Sequence, residues 1–502
     1  MGKKGWGQPI RRWPIYAGGG TGNMNLELMG VITIVAGLVI LTAPIHWSFS
    51  LMVLSTLFGA AAALSLPMLG GATVLVPSLF LPFFALRLFM AAGEGYFFAA
   101  LQPSQAGFWL LLLTSFGLLT AVFFPRIFQG ITETMTVERV ANGRNFISLT
   151  PLRFSSNNIT QSVYSVGGVV AFAAAFAYFR KAGTPRHLIG AIVLLATMNL
   201  AFAIADVVTY FTQTEHIMSF FRTANYALLT GSEKGGLKRI SGTFPEASTF
   251  AGYALVLFAL TASLWLDRMR SWTTGVLGTL SLAALLLSTS ATALVGIMVV
   301  VPFLWLRAIA TGLRDPAMAR PTFLVVAVAV VPLLVLILVV LFPGITESLQ
   351  DFIDEMLLSK ASSQSGRERT LWNAMAYKTF LDTYGLGAGL GSARASSYVL
   401  VLLSNVGLLG FLFFLIFVAA VLGARTPRNA DSELLCVVRA CKAGVLAMVA
   451  TSAISGTVYD LGTMFYVLTG SLAAFAVPAS AGGPATGSQH SLRPADSMEA
   501  FS

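Results

Sequence analysis

The sequence predicts an all-α membrane protein, a polytopic bundle of about 12–13 transmembrane helices with one large periplasmic loop that contains short helices. Of its 502 residues, 56% are hydrophobic and only 10% are charged, whereas a soluble domain has about 25% charged residues. Runs such as 31–41, 254–266 and 323–342 carry no charged residue and approach or reach the roughly 20 residues that cross a bilayer. Helices satisfy their own backbone hydrogen bonds, so they are the expected form of these runs in lipid.

Hydrophobic runs divide the chain into a short tail (1–24), a membrane domain (25–479) and a carboxy-terminal tail (480–502). The first apolar run has full spanning length and lacks a cleavage site, so we interpret it as a membrane helix and not as a signal peptide. The last tail is rich in Gly, Ser, Pro and Ala, which predicts disorder. Helices are predicted near 25–43, 46–66, 70–92, 107–128, 161–179, 187–211, 245–266, 272–288, 291–308, 322–343, 398–421, 443–457 and 460–478.

The positive-inside tendency assigns sides to the loops. The basic amino-terminal tail is predicted to be cytoplasmic, as are the basic loops at 180–186, 268–270, 307–320 and 425–442. Loops near 212–244 and 344–397 are then periplasmic. These placements conflict with thirteen single crossings, because consecutive loops must alternate sides. A re-entrant or merged pair of helices between Pro67 and Phe128 is the preferred explanation.

The net charge of +10 does not predict nucleic-acid binding, because the basic residues are scattered among short loops without a basic–aromatic cluster. Membrane lipid and anionic lipid-linked substrates are the expected partners. The four histidines are dispersed, and the spacing of Cys436 and Cys441 matches no zinc or redox motif. No metal or other cofactor is therefore predicted, and the two cysteines, placed in a basic loop, are interpreted as packing residues.

Both predicted periplasmic loops are themselves basic, which runs against the positive-inside tendency. Guanidinium groups match phosphate oxygens with two parallel hydrogen bonds, so an anionic ligand at the outer membrane surface explains the group. Contact of single side chains with lipid phosphates is the alternative. The residues are Arg222, Lys234, Lys238 and Arg239 in one loop, and Lys360, Arg367, Arg369, Lys378 and Arg394 in the other.

A short helix is predicted inside the second loop. Ser365 and Glu368 have the spacing of a capping box, and the helix then runs to about Thr383. Helical spacing places Arg367 and Lys378 on one face. This helix is either a lid over a pocket or an amphipathic helix at the membrane surface, which would have the same pattern.

Alternate glycines follow this helix at 385–391. Glycine permits positive φ and close approach of backbone N–H groups to an anion, which makes Gly387 and Gly389 candidate ligand-binding residues. The positive end of the next helix lies beside Arg394 and favours a phosphate. A turn that merely requires glycine is the alternative.

The segment from Lys238 to Phe250 leads into another membrane helix, with Pro245 suited to the first helical position. Glu246 either complements the helix dipole or, beside Arg239, acts as a base for a sugar hydroxyl. Asp206, near the outer end of its helix, is interpreted as partly exposed and unremarkable.

Three of these segments together resemble the superfamily of O-antigen ligases and polysaccharide polymerases, which are integral-membrane glycosyltransferases. The matching features are an Arg-Gly-Thr-Phe-like segment that opens a membrane helix (239–250), Arg followed by Trp (367–372), Gly-x-Gly (387–391) and Gly-Leu-Leu-Gly (407–410). The resemblance covers residues 160 to 420.

The resemblance implies transfer of a glycan from an undecaprenyl diphosphate carrier to an acceptor at the periplasmic face of the bacterial inner membrane, without a metal. The candidate catalytic residues are then Glu246, Arg239 and Arg367. The candidate substrate-binding residues are Arg369, Lys378, Arg394, Lys238, Gly387 and Gly389.

Ligases of this family carry His-Asn shortly before the final helix, where this chain has Ser396 and Ser397. The departure favours a polymerase that joins repeat units of a surface polysaccharide or exopolysaccharide, with Glu246 as the base and His216 as a weaker candidate. A ligase acting on lipid A core or protein, and a flippase or transporter of the same glycan, are the alternatives. The chain lacks the internal repeat typical of transporters. A chain-length regulator and a separate flippase are the expected protein partners of a polymerase.

Overall fold

The structure is a computed structural model that describes residues 15–16, 25–66, 72–139, 144–224, 228–231, 233–234, 237–314, 364–427 and 429–476. The predicted helix at 322–343, Lys360 and the predicted tail at 480–502 lie outside the described residues.

Helices dominate the described chain, and seven of them are long and apolar enough to cross a membrane. The helices are α1 (Leu28–Thr42), α2 (Ile45–Ser55), α3 (Val76–Ala92), α4 (Glu94–Ala100), α5 (Ala106–Ile127), α6 (Ser156–Lys181), α7 (Pro185–Phe211), α8 (His216–Ser219), α9 (Ala247–Leu266), α10 (Ser271–Leu287), α11 (Ala291–Arg314), α12 (Gln364–Asp382), α13 (Tyr398–Leu422), α14 (Ser432–Ser455) and α15 (Thr463–Ala476). The seven are α5, α6, α7, α9, α11, α13 and α14, and α3 with α4 forms an eighth candidate bent by 113°. A multi-pass membrane protein is the architecture these helices support.

Small β-sheets, which the sequence did not predict, lie beside the helices. The strands are β1 (Ile15–Tyr16), β2 (Asn25–Leu26), β3 (Ala62–Leu66), β4 (Ala72–Leu75), β5 (Glu133–Arg139), β6 (Arg144–Pro151), β7 (Glu233–Lys234) and β8 (Leu237–Lys238). They pair antiparallel in the orders β1–β6–β5, β2–β3–β4 and β7–β8. The predicted helices at 46–66 and 70–92 are therefore wrong at their inner ends, because β3 and β4 form a hairpin there. Short apolar strands and helices have the same hydrophobicity, so composition alone did not separate them.

Aromatic side chains and close helix contacts build the core of the bundle. Phe49 of α2 stacks on Tyr178 of α6 with ring centroids 4.7 Å apart, and both side chains are fully buried. Helices α6 and α15 approach closely because Gly168 packs against the Tyr466 ring and Gly470 packs against the backbone of Phe172. Small residues permit such approach in lipid, where van der Waals packing drives helix association.

One end of the bundle, which we name the Asp267 face, is joined by an ion cluster at the end of α9. Asp267 pairs with Arg307 of α11 at 3.1 Å and with Arg439 of α14 at 3.2 Å. Burial raises the pKa of Asp267, and the two arginines oppose that rise. The cluster ties three membrane helices together. The predicted start of the helix at 443–457 was wrong, because α14 begins at Ser432. This helix contains the buried residues Cys436 and Cys441.

The opposite end, which we name the Arg239 face, holds the end of α10 and the starts of α9 and α13. Arg239 Nε donates to the carbonyl oxygen of Ser288 at 3.2 Å, just beyond α10. Ser397 Oγ, at the start of α13, donates to the carbonyl oxygen of Ala453 near the end of α14 at 2.7 Å. The described parts of the loops that the sequence analysis placed outside the cell lie at this face.

The amino-terminal strand also lies at the Arg239 face. Ile15–Tyr16 pairs with Asn145 and Arg144 of β6. The hairpin partner β5 is contacted by α12, where Thr379 Oγ1 donates to the carbonyl oxygen of Glu133 at 3.3 Å. A cytoplasmic tail and a periplasmic loop around α12 cannot both be right, because β1 and α12 share one face.

This shared face removes the conflict in the predicted loop sides. Six helices were predicted before residue 212, and an even number of crossings returns the chain to the face where it started. If the loop near 212–244 is periplasmic, the amino-terminal tail is periplasmic as well, and no merged pair of helices between Pro67 and Phe128 is then needed. The bend between α3 and α4 does lie in that region. Which face is outside the cell stays a prediction.

Candidate functional site

Three half-buried ionisable residues from three separate segments meet at the Arg239 face. Arg239 follows β8, Glu246 precedes α9, and Arg369 lies in the first two turns of α12. Burial lowers the pKa of Arg239, Glu246 opposes that shift, and the positive charge of Arg369 adds to it. Both residues are therefore near enough to act electrostatically on the Arg239 guanidinium. The sequence analysis had named all three, and the structure brings them together.

One edge of the Arg239 guanidinium is anchored in the protein. Its Nε donates to the carbonyl oxygen of Ser288 at 3.2 Å and to Thr289 Oγ1 at 3.1 Å. Thr289 has a φ of 49°, a left-handed conformation that is uncommon for a β-branched residue. The turn between α10 and α11 therefore presents both acceptors to Arg239 and fixes the direction of its side chain.

Glu246 is the residue that precedes the first turn of α9, with extended backbone angles. Pro245 therefore lies two residues before the helix, which corrects its predicted place at the first helical position. The carbonyl oxygen of Pro245 accepts a hydrogen bond from Leu229 N–H at 2.8 Å. The hydroxyl of Ser248 donates to Glu246 Oε1. This contact holds the carboxylate at the positive end of α9, where the helix dipole favours negative charge.

Of the two arginines that were predicted on the α12 lid, Arg369 is half-buried, and its charge contributes to the lowered pKa of Arg239. Arg367 is exposed. The described part of the helix begins at Gln364, and the capping box predicted at Ser365 and Glu368 stays a prediction. Lys378 is also exposed and pairs with Asp382 one turn later at 2.5 Å. The catalytic role predicted for Arg367 has no support from this geometry.

Lys238, a predicted substrate-binding residue, is buried inside the protein with its side chain only 3% exposed. Its Nζ donates to Asp206 Oδ1 at 2.9 Å and to the carbonyl oxygen of Thr230 at 3.1 Å. The ammonium also lies 5.3 Å from the centre of the Tyr210 ring, within the range of a cation–π contact. Its partners are internal, so the geometry gives no support to the predicted role of Lys238 in substrate binding.

Gly387 and Gly389 do adopt the predicted positive φ, at 84° and 100°. Their N–H groups, however, donate to Thr383 Oγ1 at 3.1 Å and to the carbonyl oxygen of Asn405 at 2.9 Å. A Cβ at Gly389 would lie 2.6 Å from the carbonyl oxygen of Thr120. Close packing of the loop against α5 and α13 requires these glycines, and their internal hydrogen bonds give no support to the predicted anion-binding role.

Two buried asparagines, which the sequence analysis missed, hold the loop between α12 and α13. Asn158 Nδ2 donates to the carbonyl oxygen of Leu390 at 2.7 Å and to Ser392 Oγ at 2.8 Å. Asn405 Nδ2 donates to the carbonyl oxygen of Ala393 at 2.8 Å. Arg394 is half-buried and belongs to a loop that is held by Asn158 on one side and by Asn405 on the other.

The positions that replace the family's His-Asn pair are also used structurally. The N–H of Ser396 donates to Asn373 Oδ1 at 2.8 Å, and Ser397 Oγ bonds to Ala453. These contacts join the loop to α12 and α14. The weaker base candidate, His216, is exposed at the start of α8.

Asp206 and Asp460 are further acidic residues near this face. Asp206 is 1% exposed, so its interpretation as a partly exposed residue was wrong. Asp460 lies between α14 and α15, and burial raises its pKa to about 6, against hydrogen bonds from Gly462 N–H and Tyr466. Asp206 was missed as an important residue because its partners are distant in sequence, and the sequence analysis did not single out Asp460.

Comparison with known proteins gives no family. No family model matches the chain, and no curated protein or solved structure matches it. Within the residues that the structure describes, no three His, Cys, Asp or Glu side chains could together hold a metal ion. The resemblance to glycan ligases and polymerases therefore rests on the sequence motifs alone.

Proposed function

We propose that this chain is a membrane glycosyltransferase that uses a glycan linked through diphosphate to a polyprenyl lipid. The observation that carries the proposal is the placement of Arg239, Glu246 and Arg369 at one end of a membrane bundle, where the charges of Glu246 and Arg369 affect the pKa of Arg239. All three are half-buried, so they are partly screened from water and still accessible. Charged groups in such a position interact more strongly with a ligand than they would in bulk water.

The formal charge of the region fits a doubly negative ligand. Arg222 and Lys238 share the carboxylate of Asp206, and the charges of Glu246 and Arg369 both act on Arg239. The four cations and two carboxylates leave an excess of two positive charges. A lipid diphosphate ester carries two negative charges and would neutralise this excess.

Each residue has a role in the proposed reaction. The carboxylate of Glu246 takes the proton of an acceptor sugar hydroxyl, and the oxygen attacks the anomeric carbon of the donor glycan. The bond between that carbon and the diphosphate oxygen breaks, and the lipid diphosphate leaves with the electron pair. Arg239 and Arg369 stabilise the negative charge that develops on the leaving group.

Polymerisation of repeat units into a surface polysaccharide or exopolysaccharide is the proposed form of this reaction. Ser396 and Ser397 stand where ligases of the resembling family carry His-Asn, and both make structural hydrogen bonds. We place the reaction at the periplasmic side of the bacterial inner membrane. A chain-length regulator and a separate flippase would then be its partners.

Deletion of the gene, followed by analysis of the lipid-linked glycans, tests the reaction type. Accumulation of single repeat units supports a polymerase. Accumulation of full-length lipid-linked polymer would indicate a ligase instead, and repeat units trapped on the cytoplasmic side would indicate a flippase. Unchanged lipid-linked glycans would contradict all three.

A matched pair of variants in α12 tests the site. R369Q removes the charge that acts on Arg239, whereas R367Q removes an exposed charge two residues away. We expect R369Q to weaken binding of undecaprenyl diphosphate to the purified protein at least tenfold, and R367Q to change it less than twofold. Equal effects of the two variants would contradict the proposed diphosphate site.

A further inference from the structure

A buried carboxylate near the end of α7 organises the segment that carries Arg239. Asp206 Oδ1 accepts hydrogen bonds from Arg222 Nη2 at 2.6 Å and from Lys238 Nζ at 2.9 Å. Asp206 Oδ2 accepts from the backbone N–H groups of Ser241 at 2.8 Å and Gly242 at 3.0 Å. One side chain therefore fixes two cations and two peptide groups of the loop before α9.

The same loop is held through its carbonyl groups. Arg222 Nε donates to the carbonyl oxygen of Gly242 at 2.9 Å, so this residue is bound at its N–H by Asp206 and at its C=O by Arg222. Gly242 has a φ of 55°, and a Cβ there would lie 3.2 Å from the Phe250 ring. Thr243 Oγ1 donates to the carbonyl oxygen of Leu57 at 2.6 Å. The loop is thus attached to α7 and to the chain beyond α2.

Lys238 and Arg239 are adjacent in sequence, but their side chains contact different parts of the protein. Lys238 bonds to Asp206, whereas Arg239 bonds to Ser288 and Thr289. Lys238 ends strand β8, and side chains alternate in direction along an extended chain. Anchoring Lys238 on Asp206 therefore directs Arg239 towards Glu246 and Arg369.

We propose that Asp206 is the positioning residue of the ligand site, which holds Arg239 in place through Lys238 and through the backbone of Ser241 and Gly242. Asp206 does not touch the ligand. This inference rests on the proposed function, because it assigns Arg239 to the ligand.

A purely electrostatic role for Asp206 makes a different prediction. Two cations buried near lipid need a counter-charge, and loss of that charge alone would destabilise the protein. Asp267 is a matched control, because it also pairs with two cations but lies at the opposite face. D206N and D267N both leave two cations without their carboxylate, and only D206N alters the segment that carries Arg239.

Hydrogen–deuterium exchange of the purified variants tests the positioning without reference to any ligand. We expect D206N to speed exchange at least tenfold in peptides that cover 239–244, and D267N to leave those peptides unchanged. Unchanged exchange in D206N would overturn the proposal. If D206N does not insert into the membrane, the double variant D206N/K238M is measured in its place, because it has one unpaired cation fewer.

Binding of undecaprenyl diphosphate to the protein in nanodiscs tests the consequence for the site. We expect D206N to weaken binding at least tenfold, D267N less than twofold, and D206N/R239A no more than R239A alone. Such non-additivity is typical of two residues that act through one group. Additive losses would overturn the positioning role. If the wild-type protein does not bind the lipid, the proposed function fails, and the exchange measurement still decides whether Asp206 holds the segment.

Discussion

Replacement of Arg239 by Lys is the most direct test of how this site binds an anion. The Nε edge of the guanidinium is occupied by Ser288 and Thr289, at 3.2 and 3.1 Å. In the described part of the chain, these are the protein acceptors of Arg239, which leaves the two Nη groups for a ligand. A lysine ammonium is a single point of charge and cannot both keep this anchor and present a planar fork to a phosphate.

The expected loss follows from the hydrogen bonds that remain. R239K keeps the positive charge but loses at least one charge-assisted hydrogen bond, either to the anchor or to the ligand. Such a bond contributes about 1.5–3 kcal/mol. At 1.36 kcal/mol for each factor of ten, the loss in affinity for undecaprenyl diphosphate is roughly 10- to 150-fold.

Titration of the purified variant with undecaprenyl diphosphate in nanodiscs measures this change, and kcat/KM for glycan transfer should fall by a similar factor. R367K is the control, because Arg367 is exposed on α12 and we expect less than a twofold change. Size-exclusion chromatography shows whether each variant remains folded. Binding by R239K within twofold of the wild type would refute the proposed role of the guanidinium.

Three further outcomes are expected. E246Q should bind lipid-linked glycan normally but lose turnover in a transfer assay, because glutamine cannot act as a base. Turnover by E246Q would show that Glu246 is not the base. Because burial raises the pKa of Asp460 to about 6, its contribution to stability is greatest below pH 4 and is lost as the pH rises through 6. D460N should therefore abolish a pH-dependent change in unfolding free energy of at most about 3 kcal/mol, measured by denaturation at pH 4 and 7. G407A should lower the unfolding free energy by more than about 1 kcal/mol, because φ is 63° and the new methyl group would meet Leu386; an unchanged denaturation midpoint would contradict this.

Sequence reasoning located the membrane helices well because a long apolar run has few alternatives in lipid. The predicted spans at 187–211 and 398–421 differ by no more than two residues from α7 and α13. It failed where an apolar run was short, as in β3 and β4, because strand and helix then differ only in their distant partners. Charge alone also placed the amino-terminal tail and the loop around α12 on opposite sides, whereas the pairing of β1 with β6, more than a hundred positions away, puts them at one face.

The candidate site was predicted in part. Arg239 and Glu246 stood out because both lie beside the start of a membrane helix, and a nearby helix supplied the second arginine. The choice between Arg367 and Arg369 depends on the rotation of α12, since residues two apart point about 200° from each other around a helix. Asp206 could not be recognised, because the four residues that donate hydrogen bonds to it follow it by 16 to 36 residues across an irregular loop.

The pairing of β1 with β6 has a practical consequence for orienting the molecule. Residues 15–16 lie at the Arg239 face, whereas α15 ends near the Asp267 face, where Phe475 packs on Phe179 with ring centroids 4.7 Å apart. Reporters joined beside these two points would sit in different compartments. Green fluorescent protein becomes fluorescent only on the cytoplasmic side when exported unfolded, and alkaline phosphatase is active only on the other. One pair of fusions would thus assign a compartment to each of the two faces.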